Sequence, residues 1–309
     1  MTAVFDATAP IFLLIVAGYA LFQSGLVKAE VWAAVEHVCF YLLFPALIVK
    51  TLSRADLTAL PVAAFVAVVL GAVVCMAALL LAARPLLAAR YGVSGPTFTS
   101  LFQGATRFHG FMALAIVGSL HGDAGIALCA IAMGAMIPML NIINVAVLAV
   151  YGAHEGTVTA RSVLEQILRN PLIIACLIGF ALNLTGLPGF IYTAIDIAGG
   201  GGLGLGLLAV GAGLNLRNAT ETRALVAVGV LIRLVGMPAF MIALAALAGL
   251  TGLPRTVAII AGAVPTASTA YVMARKMGGD AALMANIVTF QVLAAAVTLP
   301  LFIYIADRL

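Results

Sequence analysis

The stretch Gln103-Gly104-Ala105-Thr106-Arg107-Phe108-His109-Gly110 sets an amide, a guanidinium and an imidazole close together inside an otherwise apolar run. A guanidinium can grip a carboxylate through two parallel hydrogen bonds. An imidazole, with an unperturbed pKa of about 6.5, can take up or release a proton near cellular pH. A second apolar run is interrupted by Pro265, followed by Thr266, Ser268 and Thr269. Proline removes a helix donor and clashes with the preceding turn. The hydroxyls beside it can bond the backbone groups so freed, and they are expected to cap the helix that follows. This is chemistry for holding and releasing a carboxylate, with His109 the candidate for proton coupling. It is not chemistry for making bonds. There is no HExxH, no pair of acids with catalytic spacing and no nucleophile–base pair. Cys39, Cys75, Cys129 and Cys176 all lie in apolar runs without a CxxC, so neither a disulfide framework nor a metal site is indicated. No catalytic residue, metal or cofactor is expected.

Other polar residues stand alone in apolar surroundings. Asp196 could partner Arg107, Arg233 or a cation. Arg233 is expected to pair internally. Asn141 and Asn144 in one run, and Asn286, Thr289 and Gln291 in another, serve either helix packing or the lining of a path. Glu36 and His37 lie near a helix end and can reach the interface. Asp123 and Asp280 each open an apolar run and read as N-caps. The run Gly199-Gly200-Gly201-Gly202-Leu203-Gly204-Leu205-Gly206 lacks the Lys-Ser/Thr of a phosphate loop, and instead permits close helix approach.

The elements that must position these residues follow from composition. Of 309 residues, 64% are hydrophobic and 8% charged, against roughly 25% charged in soluble domains. Too little charge remains to coat a water-facing surface, so lipid must face much of the chain. A span takes about 20 apolar residues. Ten spans are predicted, near 5–23, 31–51, 59–83, 97–119, 123–152, 170–186, 189–214, 222–249, 255–275 and 281–306. The fold class is an all-α polytopic membrane protein, with no room for a soluble catalytic domain. The net charge of +4 reflects basic loops rather than a nucleic-acid partner. The early apolar N-terminus reads as a first span rather than a cleaved signal.

The longest polar connection, 153–169, splits the chain into a first five-helix repeat, 1–152, and a second, 170–309. Pro10…Gly18-Tyr19-Ala20-Leu21…Gly25-Leu26 aligns without gaps on Pro171…Gly179-Phe180-Ala181-Leu182…Gly186-Leu187. Gly122-Asp123-Ala124 aligns on Gly279-Asp280-Ala281, which sets Phe108 opposite Pro265. Five being odd, the second copy must be inverted in the membrane, a design that recurs in secondary transporters. Lys28, Arg84, Arg90, Arg161, Arg169, Arg217, Arg223, Arg275 and Lys276 fall on one side. Lys50, Arg54, Arg255 and Arg308 fall on the other. The richer side should be cytoplasmic, which leaves both termini outside. The second halves of spans four and nine would then begin near the midplane with their N-termini, whose free N–H groups favour an anion.

"NPLIIACLIGFALNLTGLPGFIYTAIDIAGGGGLGLGLLAVGAGL" (Asn170 to Leu214), "FYLLFPALIVKTL" (Phe40 to Leu52), "RLVGMPAF" (Arg233 to Phe240) and "VPTASTAYVMARKMGGD" (Val264 to Asp280) occur in this order along the chain. In that order and spacing the chain resembles the auxin efflux carrier family of bacterial and plant transporters, whose bacterial members include malonate and malate permease-like proteins. The resemblance implies two inverted five-helix repeats with crossed, broken helices in spans four and nine. It implies a scaffold of spans one, two, six and seven, and a mobile bundle from the rest. It also implies organic-anion cargo and leaves room for a homodimer. Pro265 falls at the family's ninth-span crossover proline, and Phe108 to Gly110 at its fourth-span crossover. The chain departs from the family's common Asn and Gly-Pro pattern in span four: it has His109 and lacks the proline.

The expected function is a secondary transporter of a small mono- or dicarboxylate in a bacterial-type inner membrane. Gln103, Arg107, Phe108 and His109 form one wall of its site, and Pro265, Thr266, Ser268 and Thr269 the other. His109, Asp196, Asn141, Asn286 and Thr289 are candidates for coupling or for lining the path. Its partners are the organic anion and the lipid bilayer. Three alternatives stand beside it. A sodium-coupled carrier of the bile-acid-transporter type needs acidic ligands near the crossover, and few are present there. An intramembrane enzyme needs a reactive constellation. A passive channel would not concentrate its solute.

Overall fold

In the computed structural model, residues 2–56, 61–153, 161, 164, 165, 168–214 and 223–309 are described. Most of the linker 153–169, and Arg217, lie outside them. Every regular element among the described residues is helical. The helices are α1 (Thr2–Gln23), α2 (Ala29–Leu52), α3 (Val62–Tyr91), α4 (Gly95–Thr106), α5 (Gly110–Tyr151), α6 (Pro171–Thr185), α7 (Gly189–Ala212), α8 (Arg223–Leu247), α9 (Gly252–Ala263), α10 (Thr269–Lys276) and α11 (Ala281–Arg308). Seven segments are long and apolar enough to cross a membrane, one of them running from Gly95 through Tyr151. Two shorter apolar helices, α6 and α9, accompany them. The protein is a multi-pass helical membrane protein.

The helix breaks fall where polar and punctuating residues predict them. α4 stops at Thr106 and α5 starts at Gly110; α9 stops at Ala263 and α10 starts at Thr269. α5 is itself two helices joined at Gly122, whose φ of 57° only glycine adopts without strain. The two broken regions repeat each other. α4 and α9 each have 12 residues, and both the starts (Gly95, Gly252) and the ends (Thr106, Ala263) lie 157 positions apart. The residues that leave these helices match in conformation: Arg107 at φ −69°, ψ 152° and Val264 at φ −69°, ψ 149°. A 12-residue helix is about 18 Å long. In a hydrocarbon core of about 30 Å, such a helix ends well inside.

Four helices pack through glycine. A Cβ at Gly18 of α1 would sit 2.0 Å from the Leu208 carbonyl oxygen of α7, and one at Gly211 of α7 would sit 1.8 Å from that of Ile15. Gly179 of α6 packs closely on α2, where a Cβ would meet the Leu52 side chain at 2.8 Å. Gly18 and Gly179 form one of the glycine pairs that align in the repeat. The glycine run of α7 is helical throughout, and Gly199, Gly202 and Gly206 bear on Leu47, Leu43 and Phe44 of α2.

Two helices widen into a π turn, α2 at Cys39–Leu43 and α8 at Ile232–Gly236. Each turn ends one residue short of a proline, Pro45 and Pro238. The proline ring clashes with the carbonyl four residues back, and the extra residue of a π turn relieves that clash. Phe44 N–H accordingly donates to Cys39 O, and Met237 N–H to Ile232 O, five residues back in both cases.

Two expectations need correction. α3 runs on to Tyr91, through residues that read as a loop, and where the extension begins the Arg84 guanidinium lies over the rings of Phe98 and Tyr151 (5.4 and 5.5 Å). Asp280 caps α11 by accepting from Leu283 N–H at 2.9 Å, but Asp123 faces Lys50 at 3.6 Å instead.

Candidate functional site

The two breaks meet. His109 N–H donates to Pro265 O at 2.7 Å, so the backbone of one interruption closes on the other. The Thr266 hydroxyl donates to Gly104 O (2.7 Å) and reaches Arg107 O (3.3 Å). Gln291 of α11 ties the crossing together. Its Oε1 accepts from Thr266 N–H (2.8 Å), and its Nε2 donates to Gly104 O (2.8 Å) and to Gly229 O of α8 (3.0 Å). Irregular backbone at membrane depth persists only where its polar groups are satisfied by protein or water, and here side chains satisfy them.

Arg233 takes the largest share of that task. It is fully buried in the π turn of α8. Nε donates to Val264 O at 2.8 Å and Nη2 to Ala261 O at 2.9 Å, while Nη1 lies 3.4 Å from Ala105 O and 3.5 Å from Thr106 O. The internal pairing expected of it is therefore with backbone carbonyls at the ends of both first half-helices.

Arg107 is held quite differently. It is 8% exposed, and its Nη2 donates to Asn141 Oδ1 at 3.3 Å and contacts Met273 Sδ at 3.0 Å. Among the described residues its buried Nε has no partner, and no carboxylate lies within ion-pair distance of it. One helical turn earlier, Gln103 is fully buried with neither side-chain oxygen nor nitrogen partnered among the described residues. Buried amides without partners cost about 1–3 kcal/mol. His109 is buried as well; its Nδ1 is unpartnered among the described residues, and its ring stands edge-on to Phe111 at 5.9 Å. Phe111 stacks on Phe44 of α2 at 3.8 Å, and Phe108 is buried beside the break.

The remaining candidates scatter. Asn141 joins Arg107, and Asn144 accepts from the Thr106 hydroxyl at 3.1 Å. Asn286 and Thr289 are buried on α11. Thr266, expected as a cap for the following half-helix, bonds the end of α4 instead, because its hydroxyl reaches the freed carbonyls there first. Ser268 begins α10 without capping it and donates to Glu36 Oε1 at 3.2 Å; Thr269 is exposed. Asp196 does not partner either buried arginine. It pairs with Lys50 at 2.7 Å, on a half-exposed face of α7. Lys50 lies in the last turn of α2, where a long stem lets its ammonium reach a carboxylate outside the core. The residues that organise the crossing but were not read as its centre are Arg233 and Gln291. Their signal was present, as strongly polar side chains in the middle of apolar helices.

A family model described as membrane transport protein matches residues 3–303. No curated protein matches the chain.

Proposed function

The chain belongs to this membrane transport family, that of the auxin efflux carriers, and from that premise we propose that it carries a small mono- or dicarboxylate across the membrane by alternating access. The observation that carries the reading is Arg107. A guanidinium at the centre of a span costs about 2.5–3.5 kcal/mol on insertion scales, and this one has no carboxylate of its own among the described residues. A substrate carboxylate would supply the missing partner through charge-assisted hydrogen bonds. Gln103, whose amide has no partner among the described residues, would take a second oxygen, and Asn141 would orient the guanidinium.

The architecture that goes with this reading is ten spans in two inverted repeats, 1–152 and 170–309, with α4 and α9 entering from opposite faces. The 157-residue recurrence of the half-helices supports it, as does the close helix packing at both Gly18 and Gly179. The glycine-seamed group α1, α2, α6 and α7 would be the scaffold, and the helices of the crossing the mobile bundle. A bacterial-type inner membrane, both termini outside and a homodimer complete the proposal. His109 would carry the coupling proton. A sodium-coupled mechanism is disfavoured, since the carbonyls that end both half-helices are engaged by Arg233.

The test is a thermal-shift screen of purified protein against small mono- and dicarboxylates. Selected acids should raise the melting temperature of the wild type and leave Arg107→Ala unmoved. Equal stabilisation of both proteins would remove Arg107 from the site. Stabilisation by no acid, together with no uptake into proteoliposomes, would sink the anion reading.

A further inference from the structure

The carbonyls that end the two first half-helices converge on one point. Ala105 and Thr106 come from α4, Ala261 from the last turn of α9, and Val264 from just beyond it. The end of a helix carries roughly half a negative charge on its unpaired carbonyls. Two such ends together offer about one elementary charge, in an apolar interior where it is barely screened. Carriers with discontinuous helices hold dissolved cations at carbonyls of this kind. Here the position is taken by a side chain. The guanidinium is permanently charged, weakly hydrated and rich in planar donors. Arg233 itself is fully buried and has no carboxylate within ion-pair distance among the described residues.

We propose that this is a monovalent-cation site whose occupant is part of the chain: Arg233 of α8 fills the carbonyl pocket at the crossing, and no dissolved cation is required there. The consequence for a carrier rests on the function proposed above; the site itself does not. Gln291 extends the same arrangement, since one amide nitrogen bridges Gly104 of α4 and Gly229 of α8. The two half-helices and α8 are thereby fastened at one place.

The experiment follows thermal unfolding of purified Arg233→Ala protein in detergent. Guanidinium chloride is titrated at low millimolar concentration, with urea at the same concentrations as the neutral isostere. Sodium, potassium and N-methylglucamine chlorides are compared at constant ionic strength. The variant should melt well below wild type, and guanidinium should restore much of the loss saturably while urea does not. Restoration by sodium or potassium would support the proposal equally, as a smaller ion in the same pocket. Wild type should respond to none of these salts. A variant indifferent to every small cation, one rescued as well by urea, or a wild type stabilised selectively by sodium would overturn the proposal. If Arg233→Ala cannot be purified, Arg233→Lys and Arg233→Met are compared. The lysine variant should melt clearly above the methionine variant, and the reverse order would overturn the proposal. No arm measures transport, so failure of the carboxylate reading would appear separately, in the wild-type acid screen.

Discussion

Arg107, in the break between α4 and α5, and Arg233, in the π turn of α8, are both buried within apolar segments, yet their surroundings have almost nothing in common. Arg233 faces four backbone carbonyls drawn from two helix ends. Among the described residues Arg107 has one amide oxygen and one thioether, and a buried Nε with nothing to donate to. Residue type and depth alone would make them equivalent. The difference lies in what the backbone offers. A helix that stops inside the protein presents acceptors in quantity, and a guanidinium that meets them is consumed by structure. One that does not meet them keeps its donors for something else. An arginine in a membrane helix is thus a functional candidate in proportion to the donors left over.

The contrast can be broken most directly at Arg233. Arg233→Met should cost roughly 3 kcal/mol of stability, because it strips partners from several buried carbonyls at about 1–3 kcal/mol each. Thermal and chaotrope unfolding in detergent would read it. A melting temperature equal to wild type would mean that those carbonyls never needed a cation. Arg107→Ala should show the opposite profile. Carboxylate affinity should fall roughly 10- to 150-fold, the equivalent of about 1.5–3 kcal/mol of charge-assisted bonding, while stability changes by less than about 1 kcal/mol. Isothermal titration against the best acid from the screen separates the two quantities. Gln291→Leu removes three hydrogen bonds from the crossing and should cost about 2 kcal/mol in unfolding assays, below Arg233→Met. His109→Gln should leave the fold intact and flatten the pH dependence of proteoliposome uptake. Unchanged rate and unchanged pH dependence would end the proton-coupling role. Asp123→Asn should be nearly silent, within about 0.5 kcal/mol, since its contact with Lys50 is long and solvent-exposed.

Both interruptions are legible in the sequence, and for a physical reason. Pro265 removes a helix donor and is followed at once by hydroxyl side chains that can bond freed backbone groups, and a lipid-facing helix does not carry Gln103, Arg107 and His109 together. The glycine run of α7 was also readable as a packing surface, since it lacked what a phosphate loop needs. What escaped the sequence was partnership. The carbonyls of Ala105, Ala261 and Val264 belong to residues of unremarkable type, so nothing in the string marks them as ligands for Arg233. Thr266 looked like a cap for the helix after it, because sequence proximity favours that reading; the acceptors it uses belong to a segment more than 150 residues earlier. Asp196 reads as available to a buried arginine because nothing in the string shows that the Lys50 ammonium, at the end of another span, reaches it. The rings of Phe98 and Tyr151, which flank Arg84 at the start of the α3 extension, are brought there only by the fold.

The proline that follows the π turn of α8 reaches further than its own contacts suggest. Pro238 forms none of the bonds at the crossing, but its clash with the preceding turn is the reason the helix takes an extra residue around Arg233. One residue of helix corresponds to about 100° of rotation. Were the bulge to migrate by a single position, the guanidinium would swing aside and both helix ends would lose their cap in the same instant. A pyrrolidine ring thus works here as a detent, holding one side chain at the azimuth where two separate stretches of chain can share it.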